Sequence, residues 1–447
     1  MDIEKVKRYS LVELVLLSFF IIGLLISGLI VKVRQRVLLS PPLELSGSGV
    51  AVSIPRGEGW DSTSTWQYEE SGQCMAFVGQ FRSQRGRGIE VRWRYYFATP
   101  AGSEEELLKK QADSIGAQVL RVDTAGQMVY ASMVSRGTRE ERFYVGMRRL
   151  DFDRSVELLV KPYGLNSTYE ENVFTSLAES MTYRIPDELA NGQAWMDTFL
   201  QSQSRQDADS LTDEAFVVKD IRGSAVGYYY ARQVALGDRA PKLQRIQIRH
   251  VDNKQLTLES DLWYHLADKT YRWETQVESF DGRNRHSYKV ERGDDGRLTV
   301  ADHKKSLASL EQVHFFLPEP LLLRALLAFA DGSLDKVVFD VVSPSGQMVP
   351  VRLEKMDPSQ SKIRFKKAVS MIRVNYLHRD DSYEDLQFDI SGNLLGKFEQ
   401  ASRRRLRLWE AVDPDALQDQ LNLNSQELPQ EIVLQTKRYS EMKPIKM

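Results

Sequence analysis

Cysteine is almost missing from this chain. Cys74 is the one thiol in 447 residues, so no internal disulfide can staple the fold. With no fixed spacing to a second Cys or His it founds no structural zinc site either. Histidine is scarce, with His250, His265, His286, His303, His314 and His378 making six. None stands in the i,i+4 pairing that puts two imidazoles on one helix face for zinc. An excess of one charge is lacking too: 60 basic against 62 acidic side chains leave a net charge of -2, which argues against a polycationic nucleic-acid binder. A hydrophobic share of 42% and a charged share of 27% exclude a disordered polymer, and the length accommodates roughly two or three domains.

Chemistry-bearing motifs are missing as well. There is no GxSxG elbow, no Walker loop and no dinucleotide glycine fingerprint. The acidic pairs Asp294-Asp295 and Asp380-Asp381 lack the alternating oxygen ligands of a calcium loop. Asn166-Ser167-Thr168 fits a glycosylation triplet that recurs by chance. Cys74 has no partner histidine nearby. No catalytic residue, cofactor or metal is assigned, and the chain is not expected to be an enzyme.

What is present begins with the apolar run LVLLSFFIIGLLISGLIV from Leu14 to Val31, about 18 residues without a charge, the minimum for a helix crossing a ~30 Å hydrocarbon core. It is longer than a signal-peptide core and passes straight into Lys32, Arg34 and Arg36 with no small-x-small cleavage site. A retained signal-anchor is therefore expected, with residues 1–10 as a cytoplasmic leader, 11–31 as a transmembrane helix and 32–49 as a linker. Lys5, Lys7 and Arg8 balance the cations after the span, so the positive-inside bias is nearly nil. The basic leader favours N-terminus inside and bulk outside. Tyr9-Ser10-Leu11-Val12-Glu13-Leu14 resembles the start of a type IV pilin, although Arg8 stands where that family has the Gly that precedes cleavage.

Pro41-Pro42 and Gly47-Ser48-Gly49 read as spacer chemistry. A first domain is expected over 50–186. Val91, Trp93, Tyr95 and Phe97 alternate with Arg92, Arg94 and Tyr96, so one strand face packs and the other meets water. Ser103-Glu104-Glu105-Glu106 supplies an N-cap and an acidic first turn to a helix with an apolar stripe of Leu107, Leu108, Ala112 and Ile115. Strands follow at Gln127 to Ser135, Glu141 to Arg149 and Ser155 to Lys161, then a helix from Tyr169 to Met181. The segments SIPRGEGW and YEENVFTSLAES are similar to the PsbP-like sandwiches, a resemblance that implies a binding or accessory role. The arginines Arg82, Arg85, Arg87, Arg92 and Arg94 read chiefly as a hairpin tip and a solvated face, and no nucleic-acid partner is expected.

A short helix, Ala194 to Gln201, leads into a second domain over 195–412. Tyr271, Trp273, Thr275, Val277 and Ser279 alternate with polar residues, and Asp281-Gly282 and Asp295-Gly296 mark turns. The apolar run from Leu321 to Phe329 forms a helix stopped by Asp331-Gly332. Strands then resume at Lys336 to Val342, Met348 to Lys355, Lys362 to Phe365, Ile372 to Leu377, Leu386 to Ile390 and Leu394 to Glu399. The overall expectation is an α+β class: an N-terminal transmembrane helix followed by two antiparallel-sheet domains with helices packed on one face. The segments LWYHLADKTYRWETQVESFDG, PEPLLLRALLAF and LQFDISGNLLGKFEQ resemble the LolA-like half-barrels, which implies a curved antiparallel sheet over a helix and, in the lipoprotein carrier of that group, a concave face that shelters acyl chains.

Trp263, Trp273, Phe280, Phe315, Leu322, Leu326 and Phe329, together with Phe316, fall where such a face or its plug would lie; plain packing between helix and sheet is the simpler use of the same residues. The remaining residues, 413–447, form a polar tail with one helix around Ala416 to Leu423. The expected function is a membrane-anchored, extracytoplasmic envelope protein holding an apolar acyl ligand or a partner protein. The alternative is an envelope enzyme acting on glycan or lipid through groups that converge only in the fold.

Overall fold

The computed structural model describes residues 15–24, 37–56, 61–62, 66–69, 74–82, 88–97, 99, 102–135, 141–152, 154–163, 168–203, 211–235, 243–251, 257–267, 270–279, 285–292, 298–302, 305–310, 317–318, 322–342, 348–377, 382–402, 405–413 and 417. It is an α+β protein of mostly antiparallel sheets with few helices. Residues 15–24 are helical (α1). The rest of the expected span, 11–14 and 25–31, lies outside the described residues, among which no helix is long and apolar enough to cross a membrane.

The segment expected as a linker is part of the body from residue 37 onward. Strands β1 (Leu43–Leu45) and β2 (Val50–Val52) pair with β11 (Thr182–Tyr183) in a small sheet. Gly47 and Gly49 adopt φ of 75° and 72°, so the Gly-Ser composition serves a tight turn rather than a loose tether. A Cβ on Gly49 would stand 1.9 Å from the Arg184 carbonyl oxygen. Ser48 is buried, donating from Oγ to the Leu45 carbonyl at 2.7 Å and accepting from the Val50 amide at 3.0 Å.

An eight-stranded antiparallel sheet follows: β3 (Asp61–Ser62), β4 (Gln67–Tyr68), β5 (Cys74–Arg82), β6 (Gly88–Tyr96), β7 (Ala117–Ala125), β8 (Met128–Ser135), β9 (Arg142–Arg149) and β10 (Ser155–Tyr163). Its order is β3-β5-β6-β10-β9-β8-β7, with β4 also on β5. The expected packing of helices on one face is corrected here. Helix α2 (Glu104–Ser114) covers the face carrying Ala131, Met133, Phe143 and Val145, while α3 (Thr168–Ser180) covers the face carrying Tyr130, Tyr144 and Leu158. The reason is legible in β9, where Phe143 to Met147 are buried without alternation. A strand buried on both sides needs cover on both. Helix α2 starts at a capping box between Ser103 and Glu106.

Helix α4 (Asp187–Gln203) is longer than the expected Ala194 to Gln201 and is no spacer. It lies on β21 (Lys336–Val342) so closely that a Cβ on Gly192 would come 2.0 Å from the Val338 carbonyl oxygen. Glu188 in its first turn pairs with Arg352 at 2.8 Å and Lys336 at 3.1 Å. The two expected domains therefore share one apolar core, in which Trp93 and Phe174 join Phe329, Phe339 and Phe388.

The second unit is a 15-stranded sheet. Its first strands are β12 (Leu211–Lys219), β13 (Ala225–Ala235), β14 (Leu243–Val251), β15 (Thr257–Ala267), β16 (Thr270–Ser279), β17 (Arg285–Arg292), β18 (Leu298–Asp302) and β19 (Lys305–Leu310). After β20 (Leu317–Pro318) and α5 (Leu322–Asp331) the chain returns through β21, β22 (Met348–Met356), β23 (Ser370–Tyr376), β24 (Tyr383–Phe388), β25 (Leu394–Ser402) and β26 (Arg405–Ala411). Strand β26 pairs with β12, joining the two runs into the order β19 through β12, then β26 through β20. Val290 on β17 belongs to the same buried cluster as α5 and β21, although ten strands separate β17 from β21 in that order. The sheet must curl back on itself to achieve this.

Two hairpins of this sheet share a local code. In β12–β13 the Asp220 carboxylate accepts from the amides of Arg222 and Ser224, and in β24–β25 that of Asp389 accepts from Ser391 and Asn393. Gly223 and Gly392 take φ of 84° and 80°. Each hairpin then carries a register shift just before the turn. The strand expected at Lys362 to Phe365 is absent. There the buried Gln387 side chain accepts from the Phe365 amide at 2.9 Å and donates to the Ile363 carbonyl at 2.6 Å, taking the place of a ladder partner.

Candidate functional site

Of the residues expected at a ligand face, three sit on α5. Phe329 is fully buried, Leu326 nearly so and Leu322 is partly buried against the same cluster. The Phe329 ring meets Trp195 of α4 edge-on at 5.9 Å; Trp195 stacks on Phe199 at 5.6 Å and tilts against Phe339 at 5.7 Å. Aromatic rings at these spacings fill space and lock the two helices to β21.

Trp263 and Trp273 lie elsewhere, directly opposite one another on β15 and β16. The register reveals what they belong to. Ala235, Leu243, Trp263, Trp273, Val290, Val300 and Ala308 are successive cross-strand partners running unbroken from β13 to β19. Directly opposed residues share a sheet face, and the one member whose burial is described, Val290, is 1% exposed. Two residues along each strand, about 7 Å away on the same face, runs a polar row of Arg245, Asp261, Thr275, Tyr288 and Asp302. Phe280, Phe315 and Phe316 lie outside the described residues, as do the acidic pairs Asp294-Asp295 and Asp380-Asp381.

Two charged clusters were not foreseen from the sequence. At the junction of the units, Arg154 donates to Asp340 at 2.6 Å, with both side chains buried. Burial alone would lower the Arg154 pKa, but the Asp340 charge outweighs it and holds the guanidinium firmly protonated. Burial pushes the neighbouring Tyr95 hydroxyl well above the usual phenol range. Beside the pair is a cavity of about 10 Å3, room for one water, lined by Leu45, Ser48, Tyr95, Arg154 and Asp340 among others. Asp340 Oδ1 is buried without a partner among the described residues.

On the α2 side of the first sheet, Glu157 is buried and accepts from Arg94, the Tyr96 hydroxyl and the Gln111 amide, each at 3.0 Å. Arg94 also donates to Glu69 at 2.8 Å, and the Cys74 thiol lies 3.3 Å from the other Glu69 oxygen. Burial and the adjacent Glu69 push the Cys74 thiol up to about 12, the reverse of what a nucleophile needs. Arg92 pairs with Glu90 at 3.0 Å, so Arg92 and Arg94, the two arginines of the sequence group whose side chains are described, both have carboxylate partners. Among the described residues no group of three or more His, Cys, Asp or Glu could hold a metal ion.

No protein-family model matches the chain, and no curated protein matches it. Among solved structures, the crystal structure of a beta-barrel-like protein of domain of unknown function DUF1849 from Brucella abortus is similar at 10% identity, with a TM-score of 0.31, over 46% of this chain and 97% of that one.

Proposed function

We propose that this chain is a membrane-tethered envelope protein, with its bulk outside the cytoplasm, whose second unit holds an apolar, acyl-type ligand along its sheet. The observation that carries the ligand reading is the unbroken cross-strand row from Ala235 to Ala308 with Trp263 and Trp273 at its centre. A row of this kind offers dispersion contact along an extended chain, and the neighbouring Arg245 to Asp302 row offers polar partners to a headgroup. The LolA-like character of this unit and the PsbP-like character of the first belong to the same proposal.

The tether is supported by α1, where Leu16, Leu17, Phe19, Phe20, Ile22 and Leu24 are each at least half exposed. A helix apolar all round needs a core or a bilayer, and the sequence continues the apolar run to Val31. The test is photocrosslinking of the purified full chain with a diazirine fatty acid, followed by peptide mapping. Adducts within residues 257–279, diminished by Trp273→Glu, support the reading. Adducts confined to residues 11–31 sink the ligand site while leaving the tether standing.

A further inference from the structure

The tether ends very close to the folded body. Between Val31, the last residue of the apolar run, and Val37, the first described residue of the body, stand Lys32, Arg34, Arg36 and two neutral residues. However they are arranged, six Cα steps reach no farther than about 20 Å, of which about 5–8 Å is taken up by the headgroup layer. The point of entry is itself fixed to the first unit. Leu39 bridges Pro55, Ser40 N donates to the Ile54 carbonyl at 2.8 Å and Arg56 N donates to the Leu38 carbonyl at 2.6 Å.

Leu38 is 68% exposed there, beside an exposed Arg56. At the other end of this ladder, the turn at Gly47 packs against Val338 and Leu377 of the second unit. Between these ends Trp93 Nε1 donates to the Ser53 carbonyl at 2.9 Å. The ladder therefore runs from the second unit at Gly47 to a free end at Leu38 and Arg56.

We propose that this free end of the first unit rests on the bilayer surface, with Leu38 among the headgroups and Arg56 against anionic lipid. The second unit is thereby held away from the membrane. An apolar side chain flanked by cations suits the interfacial layer, where Lys and Arg meet lipid phosphates while an aliphatic group reaches toward the acyl boundary. The short connection makes the contact intramolecular in effect, so a small patch suffices. This inference rests on the tether proposed above.

The test uses the full chain in liposomes containing anionic lipid, with a bimane attached to Leu38→Cys or, separately, to Ile390→Cys. Both positions are exposed, Ile390 at 89%, and the buried Cys74 stays unlabelled. Lipids bearing a headgroup nitroxide are expected to quench the bimane at 38 more than twofold and the bimane at 390 little. Arg56→Glu is expected to weaken the quenching at 38. Flotation of the same samples separates the two claims. Protein that fails to float with the liposomes overturns the tether and this inference together. Protein that floats with its bimane at 38 unquenched, or quenched no more than at 390, overturns this inference alone.

Discussion

Arg154 and Asp340, 186 residues apart in the chain, meet at 2.6 Å in the buried junction of the two units. Because both are out of water, the pair's value lies in what its disruption leaves behind. Asp340→Ala strands a buried guanidinium and should destabilise the protein by about 3–5 kcal/mol. The double substitution Arg154→Met, Asp340→Leu removes both charges and should cost distinctly less. Urea unfolding of the two variants and the unaltered protein checks this. Equal losses for the single and double changes would show that the charges do not act as a pair.

Gly192 makes a second demand at the same junction. Alanine there would gain about 1 kcal/mol of helix propensity in an open setting. With the Val338 carbonyl oxygen 2.0 Å from the added carbon, α4 must instead lift from β21, and overpacking of this kind costs about 1–3 kcal/mol. Gly192→Ala should therefore lower the thermal midpoint, while the same change at the uncrowded Gly23 should not. A raised midpoint for Gly192→Ala would contradict the contact.

Local chemistry was legible in the sequence; distant pairing was not. The alternation of Val91, Trp93 and Tyr95 with Arg92 and Arg94 identified β6 because strand periodicity is a two-residue property. Ser103 and Glu106 marked the start of α2 for the same local reason. Gly47-Ser48-Gly49 was misread because composition does not distinguish a glycine needed for positive φ from one that loosens a tether. Asn191 and Gly192 obscured the first half of α4, since Gly disfavours a helix interior on propensity alone, and only the facing β21 explains it. Trp263 and Trp273 stood out as aromatics. That they share a row with Leu243, Val290 and Val300 is set by register across five strands, which no single strand reports.

Cys74 should be inert in the folded protein. Its thiol is raised from an ordinary 9.0 to about 12 by burial first and by Glu69 second, so near pH 8 little thiolate is available to attack. Iodoacetamide labelling should be negligible under native conditions and complete in denaturant. The folded state favours the neutral thiol, so this group's contribution is fully present below about pH 9 and is lost as pH rises from 9 toward 12. Cys74→Ala should flatten that part of the stability profile, and an unchanged slope in the variant would assign the alkaline loss to other groups.

Helix α5 separates a plug from a groove. If Phe329 serves packing against Trp195, which in turn meets Phe339, Phe329→Ala should cost about 3–5 kcal/mol and leave fatty-acid crosslinks on residues 257–279 in place at a temperature where the variant stays folded. Leu322 lies at the start of the same helix and is only partly buried. Leu322→Asp at that less enclosed position should destabilise less than Phe329→Ala. A loss of crosslinks in the folded Phe329→Ala variant, with a Leu322→Asp cost equal to its own, would place the ligand in contact with α5 and turn the plug into part of the binding face.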